Sequence, residues 1–139
     1  MAVASHERRL LPRPARAGGG GGAAGSVLRY AVGIWCAGWF GTHLPWGTLA
    51  VNVIGSAVIG LLGGAMLGGT AFPQEARLLA VTGLLGGFTT FSAFSLDTGT
   101  LFLRSPSLAA LYLGLTLAGG LGAFAAAFAL GRLLGRALG

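Results

Sequence analysis

Four long apolar segments, joined by connections of only a few residues, constrain this chain more than any other feature of its sequence. They cover residues 17–40, 46–70, 76–103 and 106–131. A helix needs roughly 20 mostly apolar residues to cross a lipid bilayer, and every segment is long enough. The second and fourth segments contain no charged residue. The pattern therefore predicts an all-α integral membrane protein with four transmembrane helices.

The composition argues against a soluble globular domain. Hydrophobic residues make up 54% of the chain and charged residues only 9%, whereas a soluble domain carries about 25% charged residues. The 27 glycines suit membrane helices, because small residues let helix backbones approach closely. The net charge of +6 comes from arginines that lie mainly in the N-terminal tail and at segment ends. That distribution is typical of membrane proteins and argues against nucleic-acid binding.

The basic N-terminal stretch differs from the rest of the chain. Residues 1–14 are predicted to form a disordered tail or a short interfacial segment, and residues 15–139 the transmembrane domain. A signal peptide is the alternative interpretation of the tail. It fits poorly, because the segment that follows is rich in Gly and Ala and contains Arg29.

The arginines also predict the orientation of the chain. With four spans, the N-terminal tail, the second connection and the C-terminus share one side of the membrane. That side carries Arg8, Arg9, Arg13, Arg16, Arg77, Arg132 and Arg136, and the opposite side carries Arg104. The positive-inside rule then places both termini in the cytoplasm of a multi-pass protein of the cell (inner or plasma) membrane.

The middle of the third segment, residues 86–92, reads GGFTTFS. Two glycines followed by two β-branched threonines are a poor place for a continuous helix. We predict that the third helix is broken there, near the bilayer midplane. Backbone groups freed at that depth need protein, water or an ion as partners, so the break is a candidate site.

Residues typical of a catalytic site are scarce in this sequence. The acids are Glu7, Glu75 and Asp97, and Cys36 is the single cysteine, which excludes an intrachain disulfide. The glycine run at residues 18–22 lacks the Lys-Ser/Thr of a phosphate-binding loop. The sequence predicts that the protein is not an enzyme.

Three stretches resemble the Fluc/CrcB fluoride channel family. Residues 21–30 (GGAAGSVLRY) are similar to its first-helix pattern of glycines followed by an arginine and an aromatic residue. Residues 47–55 (GTLAVNVIG) are similar to its second-helix motif around an asparagine, and residues 86–95 (GGFTTFSAFS) to its third-helix signature. The third motif is the most specific of the three.

The resemblance implies a passive channel that lets fluoride leave the cell. Family members are dimers of two subunits in opposite orientations, with two pores. It also implies a structural sodium ion between the subunits, held by backbone carbonyls that correspond here to Gly86 and Thr89.

Pore residues follow from the motifs and from the chemistry of fluoride, which is small, strongly hydrated and in need of hydrogen-bond donors. By motif, Asn52 is the polar pore residue, Phe91 and Phe94 present ring edges, and Arg29 lies in the aqueous vestibule. Hydroxyl donors complete the predicted set: Thr90, Ser95, Tyr112 and Thr116. Asp97 stands where the family often has Glu.

Simpler interpretations remain open for single residues. Phe91 and Phe94 are also typical packing residues, Asn52 suits a helix–helix hydrogen bond, and Arg29 suits contact with a lipid headgroup. Asp97 suits structural pairing with a neighbour.

Other functions and assemblies also remain open at this point. A small multidrug transporter is disfavoured, because such a transporter needs an acid in its first helix and the first segment of this chain contains none. A structural subunit without transport activity is a further alternative. The seven-to-one arginine bias is unusual for a homodimer of opposed subunits, so a heterodimer with a paralogue is an alternative to the homodimer.

Overall fold

The computed structural model describes residues 13–138, apart from the side chains of residues 13, 14 and 17. The first two helices are α1 (Arg13–Phe40) and α2 (Trp46–Gly68). A third, α3, consists of three consecutive segments: Gln74–Arg77, a π-helical stretch Leu78–Leu85, and Gly86–Phe88. Two more follow, α4 (Phe91–Arg104) and α5 (Pro106–Leu138), and no strand occurs in the described part of the chain.

The helix bounds differ from the predicted segments at both ends of the chain. Helix α1 includes residues 13 and 14, which the sequence had assigned to the tail; residues 1–12 of that tail lie outside the described residues. Helix α5 continues beyond residue 131 to Leu138. The prediction gave the end of the apolar segment. A helix can continue beyond the membrane where no proline follows to end it, and none follows here.

Local signals explain where the helices end and begin. Helix α2 stops at Gly69, whose φ of 119° lies in the left-handed region that a glycine adopts without strain. Gly69 and Thr70 donate their amides to the carbonyls of Met66 and Ala65, which satisfies the last turn of the helix. Helix α5 begins with Pro106. Proline suits the first position of a helix because an amide hydrogen there would have no intrahelical acceptor, so its absence costs nothing.

Glycines bring the helices into backbone contact in two pairs. In the first pair, a Cβ on Gly60, Gly64 or Gly68 of α2 would collide with the carbonyl oxygen of Phe124, Phe128 or Arg132 of α5, in that order. Residue numbers rise together along both helices, so α2 and α5 run parallel. The second pair is α1 and α3, where Gly21, Gly25 and Gly87 make equivalent contacts. Such close approach is the main source of packing energy between helices in a membrane.

The outer surface of the molecule is apolar. Large hydrophobic side chains are exposed along every helix, including Trp39, Leu67 and Leu103. Within residues 13–138, three helical stretches are long and apolar enough to cross a membrane: Trp46–Gly68, Gln74–Arg104 and Pro106–Leu138. The 28-residue α1 is not among them. The all-helical prediction is confirmed, and the fourth span stays a prediction.

Candidate functional site

The candidate site lies where α3 ends and α4 begins, at two residues that we call the interruption, Thr89 and Thr90. Both have extended backbone angles, with φ −80° and ψ 157° for Thr89 and φ −153° and ψ 115° for Thr90. The amide and the hydroxyl of Thr89 both donate to the Leu85 carbonyl, at 2.9 Å. The chain then resumes a helical path at Phe91.

Asn52, at mid-length of α2, holds the interruption by two hydrogen bonds. Its Oδ1 accepts the Thr90 amide at 2.8 Å, and its Nδ2 donates to the Thr90 carbonyl at 3.0 Å. The two residues are 38 positions apart in the sequence. Because both backbone groups of one residue are paired with one side chain, Thr90 is fixed relative to α2.

A cavity of about 450 Å³ opens beside the interruption. It lies between α2, α3, α4 and α5, and most of its wall is apolar. Its polar lining consists of Asn52, Ser56, Thr89, Thr90 and Thr116, and Phe91 and Phe94 also face it. A largely apolar cleft with a few converging polar groups is typical of a binding site for a small solute.

The two candidate pore phenylalanines differ in burial. Phe94 is buried and Phe91 is 78% exposed, although their ring centroids are only 5.8 Å apart. Phe94 also lies 5.6 Å from the ring of Tyr112, at an interplanar angle of 42°. The rings of Phe91, Phe94 and Tyr112 thus form a connected row that leads from the outer surface into the packed interior.

The two candidate residues of α5 are both buried, one helical turn apart. Tyr112 has no exposed surface and donates its hydroxyl to Asp97 Oδ2 at 3.4 Å. The Thr116 hydroxyl is buried at the cavity wall, and no hydrogen-bond partner for it exists among the residues that the structure describes. Tyr112 itself does not line the cavity and reaches it through the Phe94 ring.

Ser95 and Arg29 lie away from the cavity. Ser95 is exposed and donates its hydroxyl back to the Phe91 carbonyl at 3.0 Å, within its own helix. Arg29 is half-buried in a separate groove of about 410 Å³, together with Thr48, Thr90 and Ala93. Thr90 therefore borders both spaces, with Arg29 on one side and Asn52 on the other.

Two polar residues of α2 were not singled out in the sequence. Ser56 lines the cavity one turn after Asn52, and Thr48 lines the Arg29 groove one turn before it. The spacing of four residues on one helix face is the signal that identifies them. Together with Asn52 they give α2 a polar stripe opposite Tyr112 and Thr116 of α5.

Backbone carbonyls are the groups at this site that suit a cation. No cluster of His, Cys, Asp or Glu side chains able to hold a metal occurs within residues 13–138. Gly86 and Thr89 both line the cavity, and a Cβ on Gly86 would meet only the Val81 carbonyl, at 3.8 Å. Carbonyl oxygens are hard ligands of the kind that alkali and alkaline-earth cations accept.

The sequence matches the family described as CrcB-like protein, Camphor Resistance (CrcB), over residues 17–130. The chain belongs to this family. The match contains all three motif stretches and every candidate site residue, and the expected family membership is confirmed. With its apolar helices, the chain is a membrane protein.

Relatives in this family carry the name of an ion channel. The chain is 50% identical over 115 residues to a "Fluoride-specific ion channel FluC" of Agrobacterium fabrum, covering 82% of this chain and 92% of the relative. It is 49% identical over 118 residues to the FluC of Rhizobium johnstonii, covering 85% and 92%. A "Fluoride-specific ion channel FluC 2" of Nitrobacter hamburgensis is 52% identical over 93 residues, covering 66% and 75%. These names describe channels, and the prediction that the chain is not an enzyme is confirmed.

Proposed function

We propose that the chain forms a fluoride-selective, passive channel that lets fluoride leave the cytoplasm across the cell membrane. One observation carries the proposal. Five of the seven residues expected to line a fluoride pore meet at one cavity, in a chain about half identical to proteins named fluoride-specific ion channels. That wall is formed by residues of three helices and of the interruption: Asn52, Phe94, Thr116 and Thr90.

The wall suits a small anion for chemical reasons. A pore must replace the water around fluoride with hydrogen-bond donors or positive dipoles. The buried hydroxyl of Thr116 has a hydrogen to donate, and Asn52 keeps one N–H beyond the bond it makes to Thr90. Phe91 and Phe94 present the positive edges of their rings while their bulk limits the passage of larger solutes. Ser95 lies outside the cavity and Tyr112 behind the Phe94 ring, and their hydroxyls donate to the Phe91 carbonyl and to Asp97, so both stay in the proposed donor set by motif alone.

The approach to the pore is the proposed role of Arg29. Its groove meets the cavity at Thr90, so its charge lies on the other side of the same residue. A cation in a partly apolar groove raises the local concentration of anions. The proposed flow is passive, and α1 lacks the acid that a proton-coupled small multidrug transporter would need.

The interruption is proposed to lie near the bilayer midplane. Thr89 is midway between Gln74 and Arg104, the ends of one apolar stretch long enough to span a membrane. Four spans, including α1, place both termini of a subunit on one side of the membrane, and the arginine bias favours the cytoplasmic side. Non-helical backbone at this depth requires a protein or ion partner.

A second subunit in the opposite orientation is the proposed partner, as a homodimer or as a heterodimer with a paralogue. Gly86 and the 78% exposed Phe91 lie at the open side of the cavity, where a subunit would cover them. A sodium ion between the subunits fits the carbonyls of Gly86 and Thr89. Bound there, it would supply positive charge to backbone oxygens in an apolar setting, as a structural ion and not as cargo.

Fluoride efflux from liposomes that contain the purified protein tests the function. A fluoride electrode should record rapid release, and a chloride electrode little. Phe94→Ile should abolish fluoride release. Phe102→Ile is the matched control, because Phe102 lies on the same helix with 61% of its surface exposed, away from the cavity. Well-folded protein that releases no fluoride, alone or co-expressed with a paralogue, would refute the proposal.

A further inference from the structure

The amide of Thr90 is diverted from its usual acceptor. In a continuing α-helix the amide of residue 90 would donate to the carbonyl of residue 86. Here it donates to Asn52 Oδ1 at 2.8 Å, and Asn52 Nδ2 holds the Thr90 carbonyl at 3.0 Å. The Gly86 carbonyl therefore loses its helical donor to a side chain of another helix.

The amide of Ala93 is diverted in the same way. It would donate to the Thr89 carbonyl in a continuing helix. Instead it donates to Thr90 Oγ1 at 3.1 Å, which makes Thr90 the N-cap of α4. The Thr89 carbonyl thus loses its donor to the side chain of the next residue.

The remaining amides of this turn behave as at any helix start. Like the amide of Ala93, those of Phe91 and Ser92 belong to the first turn of α4, where amides have no intrahelical acceptor, but only Ala93 donates to the capping hydroxyl. The diversion by side chains is specific to the two amides whose acceptors would be Gly86 and Thr89. An acceptor left without a donor in apolar surroundings is costly, and a cation is a partner that removes the cost.

We propose that Asn52 and the Thr90 hydroxyl act together as positioning groups for a cation site, by holding two backbone amides away from the Gly86 and Thr89 carbonyls. The inference rests on the sodium ion of the proposed function. In it, the carbonyls would bind the ion, and the side chains of Asn52 and Thr90 keep those carbonyls free without binding the ion themselves. Asn52 then has two roles, because one N–H of its amide holds Thr90 and the other remains for an anion. Cation site and anion path share this one residue.

Thermal unfolding of the purified protein in detergent, in sodium chloride against N-methyl-D-glucamine chloride of equal ionic strength, tests the proposal. Sodium should raise the unfolding midpoint of the unsubstituted protein. In Asn52→Leu, about ten times more sodium should be needed to raise the unfolding midpoint by the same amount. The reason is that the Thr90 amide is free to return to the Gly86 carbonyl and compete with the ion. Ser56→Ala is the matched control. It lies one turn further on α2 and lines the same cavity, and it should keep the sodium response.

A second pair of variants applies if Asn52→Leu fails to fold. Thr90→Ala removes the acceptor of the Ala93 amide and should weaken the sodium response by a similar factor. Thr90→Ser keeps the oxygen and should restore it.

The outcomes separate this inference from the function. If Asn52→Leu and Thr90→Ala lose fluoride efflux and keep the sodium response, both residues serve the anion path alone and the inference is overturned. If sodium leaves the unsubstituted protein unaffected while fluoride efflux is intact, the cation site itself is refuted and the channel stands. Loss of the sodium response in both variants, with its recovery in Thr90→Ser, supports the inference.

Discussion

Tyr112 donates its hydroxyl to Asp97 Oδ2 at 3.4 Å, across the contact between α5 and α4. The tyrosine has no exposed surface, while the Asp97 carboxylate borders a cleft that also contains His43 and Arg104. This bond pairs Asp97, the one acid of α4, with a neutral donor. It is the kind of pairing with a neighbour that the sequence suggests for Asp97.

Removal of the Tyr112 hydroxyl should cost little stability. Tyr112→Phe keeps the ring contact with Phe94, and at 3.4 Å the lost bond is long, so we expect the free energy of unfolding to fall by about 1 kcal/mol or less. Tyr112→Ala also removes the buried ring and should cost about 3–5 kcal/mol. Detergent unfolding followed by tryptophan fluorescence measures both. A loss for Tyr112→Phe as large as that for Tyr112→Ala would mean that the hydroxyl, not the ring, holds α4 and α5 together.

Thr116→Val should separate stability from transport. The Thr116 hydroxyl is buried with no partner among the described residues, and valine has nearly the same shape without the polar group. We expect unchanged or higher stability, by up to about 1 kcal/mol, because an unsatisfied buried hydroxyl is lost. Fluoride efflux should fall several-fold, since a donor of the proposed pore is missing. A lower unfolding midpoint would show that the hydroxyl has a partner in the assembled channel.

Gly64→Ala tests the packing of α2 on α5. A Cβ at Gly64 would collide with the carbonyl oxygen of Phe128 and lie 2.9 Å from the Arg132 amide, and backbone atoms have little freedom to yield. We expect a loss of about 1–3 kcal/mol in the free energy of unfolding.

The adjacent glycine provides the control for this packing. A Cβ at Gly63 would make only an ordinary 3.8 Å contact with the Phe128 ring. Gly63→Ala should therefore be neutral or slightly stabilising, because alanine favours a helix. Equal effects of the two substitutions in thermal unfolding would contradict the close backbone contact between α2 and α5 at Gly64.

The orientation of the subunits can be read from a C-terminal tag. In a homodimer of opposed subunits the tag should be accessible from both sides of the membrane, in spite of the arginine bias. Tag labelling in intact cells, compared with permeabilised cells, measures this. A tag that is reached only after permeabilisation would favour pairing with a paralogue. Expression of this chain alone should then give no fluoride efflux.

Much of this architecture follows from local sequence. The apolar segments predict the helices, and Gly86, Gly87, Thr89 and Thr90 predict where the third segment loses its helical backbone, because β-branched residues after glycines disfavour a helix. The family membership likewise follows from short motifs. These features depend on neighbours in the chain, which a sequence contains in full.

Side-chain partners were harder to predict. Ser95 is predicted among the pore donors. In the structure its hydroxyl donates to the Phe91 carbonyl one turn earlier, a bond that serines in helices often make. The polar stripe continued by Thr48 and Ser56 was missed, although its spacing was visible. A spacing defines a helix face, and only the packing of the helices decides what that face contacts.

The sequence by itself therefore determined that this protein resides in a membrane, that it is all-helical and which family it belongs to, since each depends on composition or on residues close in the chain. Only the tertiary structure decided that Asn52 holds Thr90 from 38 residues away, and which carbonyls that leaves free. The reason is physical. A hydrogen bond between helices depends on their register and rotation, which are set by contacts between residues distant in sequence, such as that of Gly55 of α2 with the Thr89 side chain.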